Sequence, residues 1–306
     1  MTDADVAISA ATLALLRSGK RTMSSLRTLL LTAWTEGTPL SELDAFLSLA
    51  GVERAEVNGS VSEAMGTLER GMRLDISPVP ICSPLYPATL RGINDAPLIL
   101  YLRGHAAALS ATPGIAVVGT RKATAHGILI AERIAQHVSS EGLSVVSGLA
   151  MGIDAAAHEG AMKGPTPTIA VLAHGLEKAS PVTNRPLAHR ILDAGGLWVS
   201  EHPVGTPAKP EYFVLRNRIQ VGLASASVIV EGEEKSGSRT QAEYCIQNRR
   251  VLFAVLPEPG SKVSTLSDLP RVLVGQRGAT PIYSRADYPA MIDAARKRAI
   301  ALQAAG

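Results

Sequence analysis

From Ile115 to Val255 the chain repeats one rhythm: a short apolar run, a turn rich in Gly or Ser, then apolar residues at helical spacing. This pattern predicts strands at 115–118, 143–146, 168–172, 197–200, 227–231 and 251–255. Helices are expected between them, at 155–163, 186–194, 216–223 and 238–248. Another follows the first strand, with Ile128, Ala131, Ile134, Ala135 and Val138 on one face. Runs such as Ile115-Ala116-Val117-Val118 are apolar at every position, as in strands covered on both faces. Such alternation predicts an α/β fold: a mostly parallel sheet with helices on both faces and right-handed crossovers. Ligands of these sheets bind beyond the carboxyl ends of the strands, where this sequence places its polar clusters.

Four turns at that rim carry the chemistry. The first is Gly119-Thr120-Arg121-Lys122. A strand entering a helix through a Gly turn aims backbone N–H groups at one spot beside the positive end of the helix dipole, which suits a phosphate. The alternative is a surface turn with two solvated cations. Neither Gly-x-Gly-x-x-Gly nor Gly-x-x-x-x-Gly-Lys-Ser/Thr is present. The second turn runs Ser147-Gly148-Leu149-Ala150-Met151-Gly152-Ile153-Asp154, with His158 one helical turn after Asp154. The pair either lines a pocket, or is a dipole-stabilising acid followed by a packed histidine. With no third ligand nearby, no metal is expected. The third, Arg216-Asn217-Arg218, opens a helix with two groups suited to bidentate phosphate binding; the alternative is one solvated arginine and one packed over the sheet edge. The fourth, Ser236-Gly237-Ser238-Arg239-Thr240, is either another anion site or a plain N-cap. Lys178, Arg185 and His174 follow the third strand at the same rim, and Glu201 and Glu231 end two others. No Ser-His-Asp or Cys-His arrangement emerges.

A length of 306 residues fits about two domains at ~150 residues each. Residues 1–80 read as a small helical domain: apolar positions recur at helical spacing in 10–16 and 26–34, and Pro39-Leu40-Ser41-Glu42-Leu43 resembles a helix start. Residues 81–306 hold the second domain, with its core at 112–257. Pro84, Pro87 and Pro97 break the connector before a strand at 98–102. A weaker unit closes the chain, with a strand at 271–274 and an amphipathic segment at 288–302. A net charge of +3 permits a nucleic-acid partner without requiring one. Cys82 and Cys245 lie far apart in a chain with only two cysteines, so a reducing cytoplasm is the expected compartment. No secretory signal and no membrane-length apolar run is evident.

Taken together, Val118-Gly119-Thr120-Arg121, Val145-Val146-Ser147-Gly148-Leu149-Ala150 with Gly152-Ile153-Asp154 and His158, Arg216-Asn217-Arg218-Ile219, and Ser236-Gly237-Ser238 resemble the DNA-processing protein A (DprA/Smf) family. Tyr86-Pro87, Leu90, Ile93, Asp95, Pro97, Leu100-Tyr101 and Gly104 look like that family's lead-in. The resemblance spans about Ser83 to Pro257. It implies an extended Rossmann-like domain that binds single-stranded DNA without cofactor or catalysis. It further implies a homodimer that helps load a RecA-type recombinase and protects incoming strands during natural transformation. The family's phosphate-binding arginine maps to Arg121, its pocket to Gly119, Ser147, Gly148, Arg216 and Arg218, and its basic residue after the third strand to Lys178. Three departures stand out. Ser180-Pro181 replaces a Tyr-Pro, Arg239 replaces an apolar residue, and the sequence reaches Gly306 with no C-terminal winged helix in view.

Two other readings compete. Arg239-Thr240-Gln241-Ala242-Glu243 partly echoes the Gly-Thr-x-x-Glu signature of the lonely guy nucleotide phosphoribohydrolases, with Glu243 then assisting cleavage of an N-glycosidic bond. A dinucleotide-dependent oxidoreductase lacks its glycine fingerprint, and its second strand ends in Ser147 where a ribose-binding acid belongs.

Overall fold

The apolar runs become the middle of one sheet. A computed structural model of the chain describes residues 2–38, 40, 42–258, 260 and 268–304. Its strands are β1 (Ile76–Pro80), β2 (Ile99–Gly104), β3 (Gly114–Val118), β4 (Val145–Ser147), β5 (Ile169–Val171), β6 (Leu197–Ser200), β7 (Ala224–Ile229), β8 (Val251–Val255) and β9 (Thr280–Ile282). They lie in the order β1-β2-β6-β5-β4-β3-β7-β8-β9. Every pairing from β6 to β9 is parallel, while β1 and β2 form an antiparallel flank on β6. The strand that starts the parallel series, β3, sits mid-sheet. The chain builds outward from it through β4, β5 and β6, then returns to place β7 on its other side. The order therefore reverses between β3 and β7, and such a switch point opens a crevice at the carboxyl ends of the strands.

The helices are α1 (Asp3–Arg17), α2 (Met23–Thr35), α3 (Leu43–Leu49), α4 (Arg54–Met72), α5 (Ala88–Arg91), α6 (Ala125–Ser140), α7 (Ile153–Ala161), α8 (Arg185–Asp193), α9 (Pro210–Leu215), α10 (Asn217–Gly222), α11 (Gly237–Gln247), α12 (Leu269–Arg277) and α13 (Tyr288–Gln303). Side chains alternate across each strand, and both faces are covered. Ile115 and Val117 of β3, Ala226 and Val228 of β7, and Phe253 and Val255 of β8 pack with α6, α7 and α13. On the opposite face, Val118, Ile229, Leu252 and Ala254 pack with α11 and α12. α1 begins at a capping box: the Thr2 hydroxyl accepts from the Asp5 N–H at 3.2 Å, and the Asp5 carboxylate accepts from the Thr2 N–H at 2.8 Å. Helices α1 to α4 share one apolar cluster with β2, β5 and β6, so the N-terminal helices and this half of the sheet have a continuous core.

The structure corrects three expectations. Residues 76–80 read as part of a helical segment but form β1. Its Pro78 and Pro80 sit on an outermost strand, where a missing N–H breaks no ladder. Residues 271–274 read as a strand but lie inside α12, which opens with Pro270 in its first turn and stops at Gly278 in the left-handed conformation, φ 72°. The strand of this unit is β9 instead. Residues 210–215 carry the short helix α9, which the sequence pattern did not mark. Pro39 and Ser41 of the expected helix start, and residues 259 and 261–267 of the tail, lie outside the described residues.

Candidate functional site

A cleft of about 540 Å³ opens at the switch point. One wall is the turn after β3, Gly119 to Lys122, with Ala150 and Asp154 from the segment after β4. The other is formed by Pro210, Phe213 and Val214 of α9, Arg216 with Asn217 and Gln220 of α10, and Ser236 to Ser238 with Gln241 at the start of α11. Glu233 completes the rim. Three of the lining side chains are cationic and two anionic. Arg121 and Lys122 are exposed at the mouth, and Arg216 is buried at the floor, only 5% exposed.

Glycine makes the floor possible. The Arg216 guanidinium lies against the Gly148 backbone so closely that a methyl group on Gly148 would coincide with it. Its nearest carboxylate is Asp154, with Oδ2 at 3.9 Å from Nη2. That carboxylate already accepts the Gly148 N–H at 3.2 Å. The Nε and Nη1 atoms of Arg216 have no hydrogen-bond partner. Burial lowers the Arg216 pKa; Asp154 opposes the shift and Arg121 adds to it. Burial likewise raises the Asp154 pKa, against the pull of Arg216 and of the Ala150, Gly119 and Gly148 amides. Each partner is thus pushed toward its neutral form, which means desolvation outweighs their mutual attraction. A second anion in the cleft would stabilise the charge on Arg216.

The turns are locked to one another. Gly152, with φ 79°, packs against the Thr120 and Arg121 carbonyls, and the Ile153 N–H donates to the Thr120 oxygen at 3.3 Å. Arg121 stands over the Phe213 ring, 5.5 Å from its centroid, and so reaches across the mouth to α9. The Gly237 carbonyl is held by the Asn217 amide at 3.1 Å, which fixes the start of α11 against α10. No side chain caps that start: the Ser236 hydroxyl donates to the Glu233 carbonyl at 2.6 Å instead. The first amides of α11 therefore remain available at the cleft.

The start of α6 is different. The sequence marked it as the leading phosphate site, yet Glu231 already occupies it. Its carboxylate accepts from the Thr124 N–H at 2.9 Å and from the Thr124 hydroxyl at 2.5 Å. Thr124 in turn caps α6 by accepting the Gly127 N–H at 2.9 Å.

Several residues singled out from the sequence stand elsewhere. Arg218 does not line the cleft. It is 7% exposed and bidentate to Glu201, at 2.7 and 2.6 Å, and its Nε lies 3.2 Å from the Asp95 carboxylate. Burial alone would lower its pKa, but Glu201, Asp95 and Tyr86 together raise it. Ser147 is fully buried and donates to the Val117 carbonyl at 2.7 Å. His158 is fully buried beneath the floor. Its Nδ1 donates to Thr168 Oγ1 at 2.9 Å, because the Thr168 hydroxyl itself donates to the Val145 carbonyl at 2.8 Å. Burial, reinforced by Arg216, depresses its pKa to about 3, so it is neutral. His174 is buried with Nδ1 on the Gly175 carbonyl, and Lys178 is exposed outside the lining. Glu243 pairs with Arg239 at 3.0 Å and also lies outside the lining of this cleft. Among the described residues no group of His, Cys, Asp or Glu is arranged to hold a metal. None of the helices there is long and apolar enough to cross a membrane.

The sequence reading missed Pro210, Phe213, Val214, Gln220, Glu233 and Gln241. The available signal was Phe213, one of only three phenylalanines, placed three residues before Arg216.

Comparison with known proteins gives this geometry a context. The DNA processing protein DprA of Bacillus subtilis is 37% identical over 217 residues, covering 69% of this chain and 70% of that protein. Protein Smf of Synechocystis is 39% identical over 179 residues, covering 58% of this chain but 45% of its own length. Among solved structures, DprA from Streptococcus pneumoniae superposes with a TM-score of 0.73 at 28% identity, covering 95% of this chain and 98% of that one. DNA processing protein A from Helicobacter pylori, described for its single-stranded DNA binding mode, gives 0.60 at 25% identity, covering 71% and 96%. A family profile described as DNA recombination-mediator protein A matches residues 78–293. With more than half its length matched, the chain belongs to the DNA recombination-mediator protein A family, that of the DprA and Smf proteins.

Proposed function

We propose that the cleft grips the sugar–phosphate backbone of single-stranded DNA, and that the protein works as a recombination mediator without a catalytic step of its own. Arg216 supplies the charge at the floor, Arg121 and Lys122 the charges at the mouth, and the amides of Gly237 and Ser238 the neutral donors, while the Gly119 amide serves Asp154 and the Thr120 amide the Glu231 carbonyl. Asn217, Ser236 and Gly152 hold these loops in place, and Asp154 keeps Arg216 oriented. Within this reading the strand is an incoming one, protected in the cytoplasm by a homodimer that helps a RecA-type recombinase to load. The observation that carries the reading is the buried Arg216: a desolvated cation whose nearest carboxylate is 3.9 Å away, at the floor of an open cleft. Aromatic residues make up only 4% of the chain, which favours backbone contacts over extensive base stacking.

The test is fluorescence anisotropy of labelled oligo-dT at two salt concentrations, beside a duplex of the same length. Three phosphate contacts give a log–log salt slope of about −2 for a single strand. Arg216→Ala and Arg121→Ala each weaken binding by about tenfold or more and make the slope shallower. Parent-like binding by both variants overturns the proposal.

A further inference from the structure

The β3–α6 turn has the makings of a nucleotide site. It follows the first parallel strand, lies at the switch point, opens a 16-residue helix and carries Arg121 and Lys122, neither of which is in an ion pair among the described residues. In dinucleotide-binding sheets a pyrophosphate rests on this helix start. Here the Glu231 carboxylate rests there, brought over from the end of β7, 107 residues along the chain. Its fit is tight: a Cβ on Gly127 would fall on the carboxylate, and Glu231 contributes its backbone as well, accepting the Thr120 N–H at 2.8 Å. Gly119 is similarly confined, since a Cβ there would lie 2.7 Å from the Glu231 carbonyl.

We propose that Glu231 is a specificity-determining residue: a resident anion that bars nucleoside diphosphates from the β3–α6 turn and leaves Arg216 and the start of α11 as the ligand side of the crevice. Two physical effects combine. The carboxylate takes up the volume that a phosphate would need, and its negative charge cancels the attraction of the helix start for a second anion. The cations of the turn then serve the mouth of the cleft rather than a diphosphate held against α6.

Isothermal titration of ADP, with inorganic pyrophosphate as a second probe, tests this without DNA. The parent protein is expected to show no saturable binding at millimolar ADP. Glu231→Ala, which removes both bulk and charge, binds ADP about tenfold tighter or better. Glu231→Gln removes the charge alone and gives a smaller gain in the same direction, and it decides the matter if the alanine variant fails to fold by circular dichroism. Adding Gly127→Val to Glu231→Ala refills the vacated volume and abolishes the gain. Absence of any gain in a folded Glu231 variant overturns the inference, as does a gain that survives Gly127→Val or a parent that already binds ADP. Failure of oligo-dT binding by the parent would sink the DNA reading alone.

Discussion

Replacing Gly148 by alanine tests whether the floor of the cleft is built as described. Gly148 has no positive φ, so alanine meets no backbone strain there. The new methyl group instead collides with Arg216, whose Nη1, Cζ and Nη2 all lie within the 3.0 Å that a real Cβ does not enter. The guanidinium must leave. The phosphate contact proposed for it, a charged hydrogen bond of about 1.5–3 kcal/mol, goes with it, so oligo-dT binding falls by about 10- to 150-fold. Stability falls too, by about 3–5 kcal/mol, because Asp154 stays buried without its cation. The two substitutions share one cause, so Gly148→Ala/Arg216→Ala binds DNA no worse than Arg216→Ala alone. It is also more stable than the sum of the single changes predicts, by about 0.5–3 kcal/mol, since removing the arginine makes room for the methyl. Anisotropy at fixed salt and urea denaturation measure both quantities. A Gly148→Ala protein that binds like its parent while Arg216→Ala does not, or additive losses in the double variant, would refute this account of the floor.

Further outcomes follow from groups around the cleft. Arg218→Ala leaves Glu201 and Asp95 without their cation and costs about 3 kcal/mol in urea denaturation, while the salt slope of DNA binding stays at the parent value. His158 has a folded pKa of about 3 against an ordinary 6.5, so the unfolded chain binds its proton first. Its contribution to stability is complete above about pH 6.5 and is lost progressively as pH falls toward 3, by about 2 kcal/mol between pH 6.5 and 5. Denaturation of His158→Asn should show a flatter pH profile over that interval, and an unchanged profile would mean that other groups carry the slope.

The fold was legible where the chemistry is local. Short apolar runs bounded by Gly, Ser or Pro turns read as strands covered on both faces, and this located β3, β4, β7 and β8. All four marked turns place residues in the lining; the one after β4 adds Ala150 and Asp154, while its Gly148 lies beneath Arg216. What the sequence concealed is long-range. Arg216 and Arg218 are alike in charge and stand two residues apart, about 200° round a helix. One faces Gly148 and the other Glu201, a choice made by partners far off in the chain. Glu231 read as a strand-end acid with an open role, and only the folded crevice brings it to Thr124. The edge strand β1 was hidden by its own prolines, which are tolerated only because nothing pairs on its outer side.

The place of β3 in the strand order has a consequence for synthesis on the ribosome. A nascent chain exposed as far as β6 already carries Arg121 and Gly148, but the opposite wall is still being translated, since Arg216, Ser238 and Gln241 all come later, as does Glu231, which holds the Thr120 amide. Until β7 docks beside β3 there is a half-sheet and no crevice. Ligand affinity is therefore a property of the finished chain, and a premature stop before α11 yields a product that cannot compete with full-length copies for their ligand.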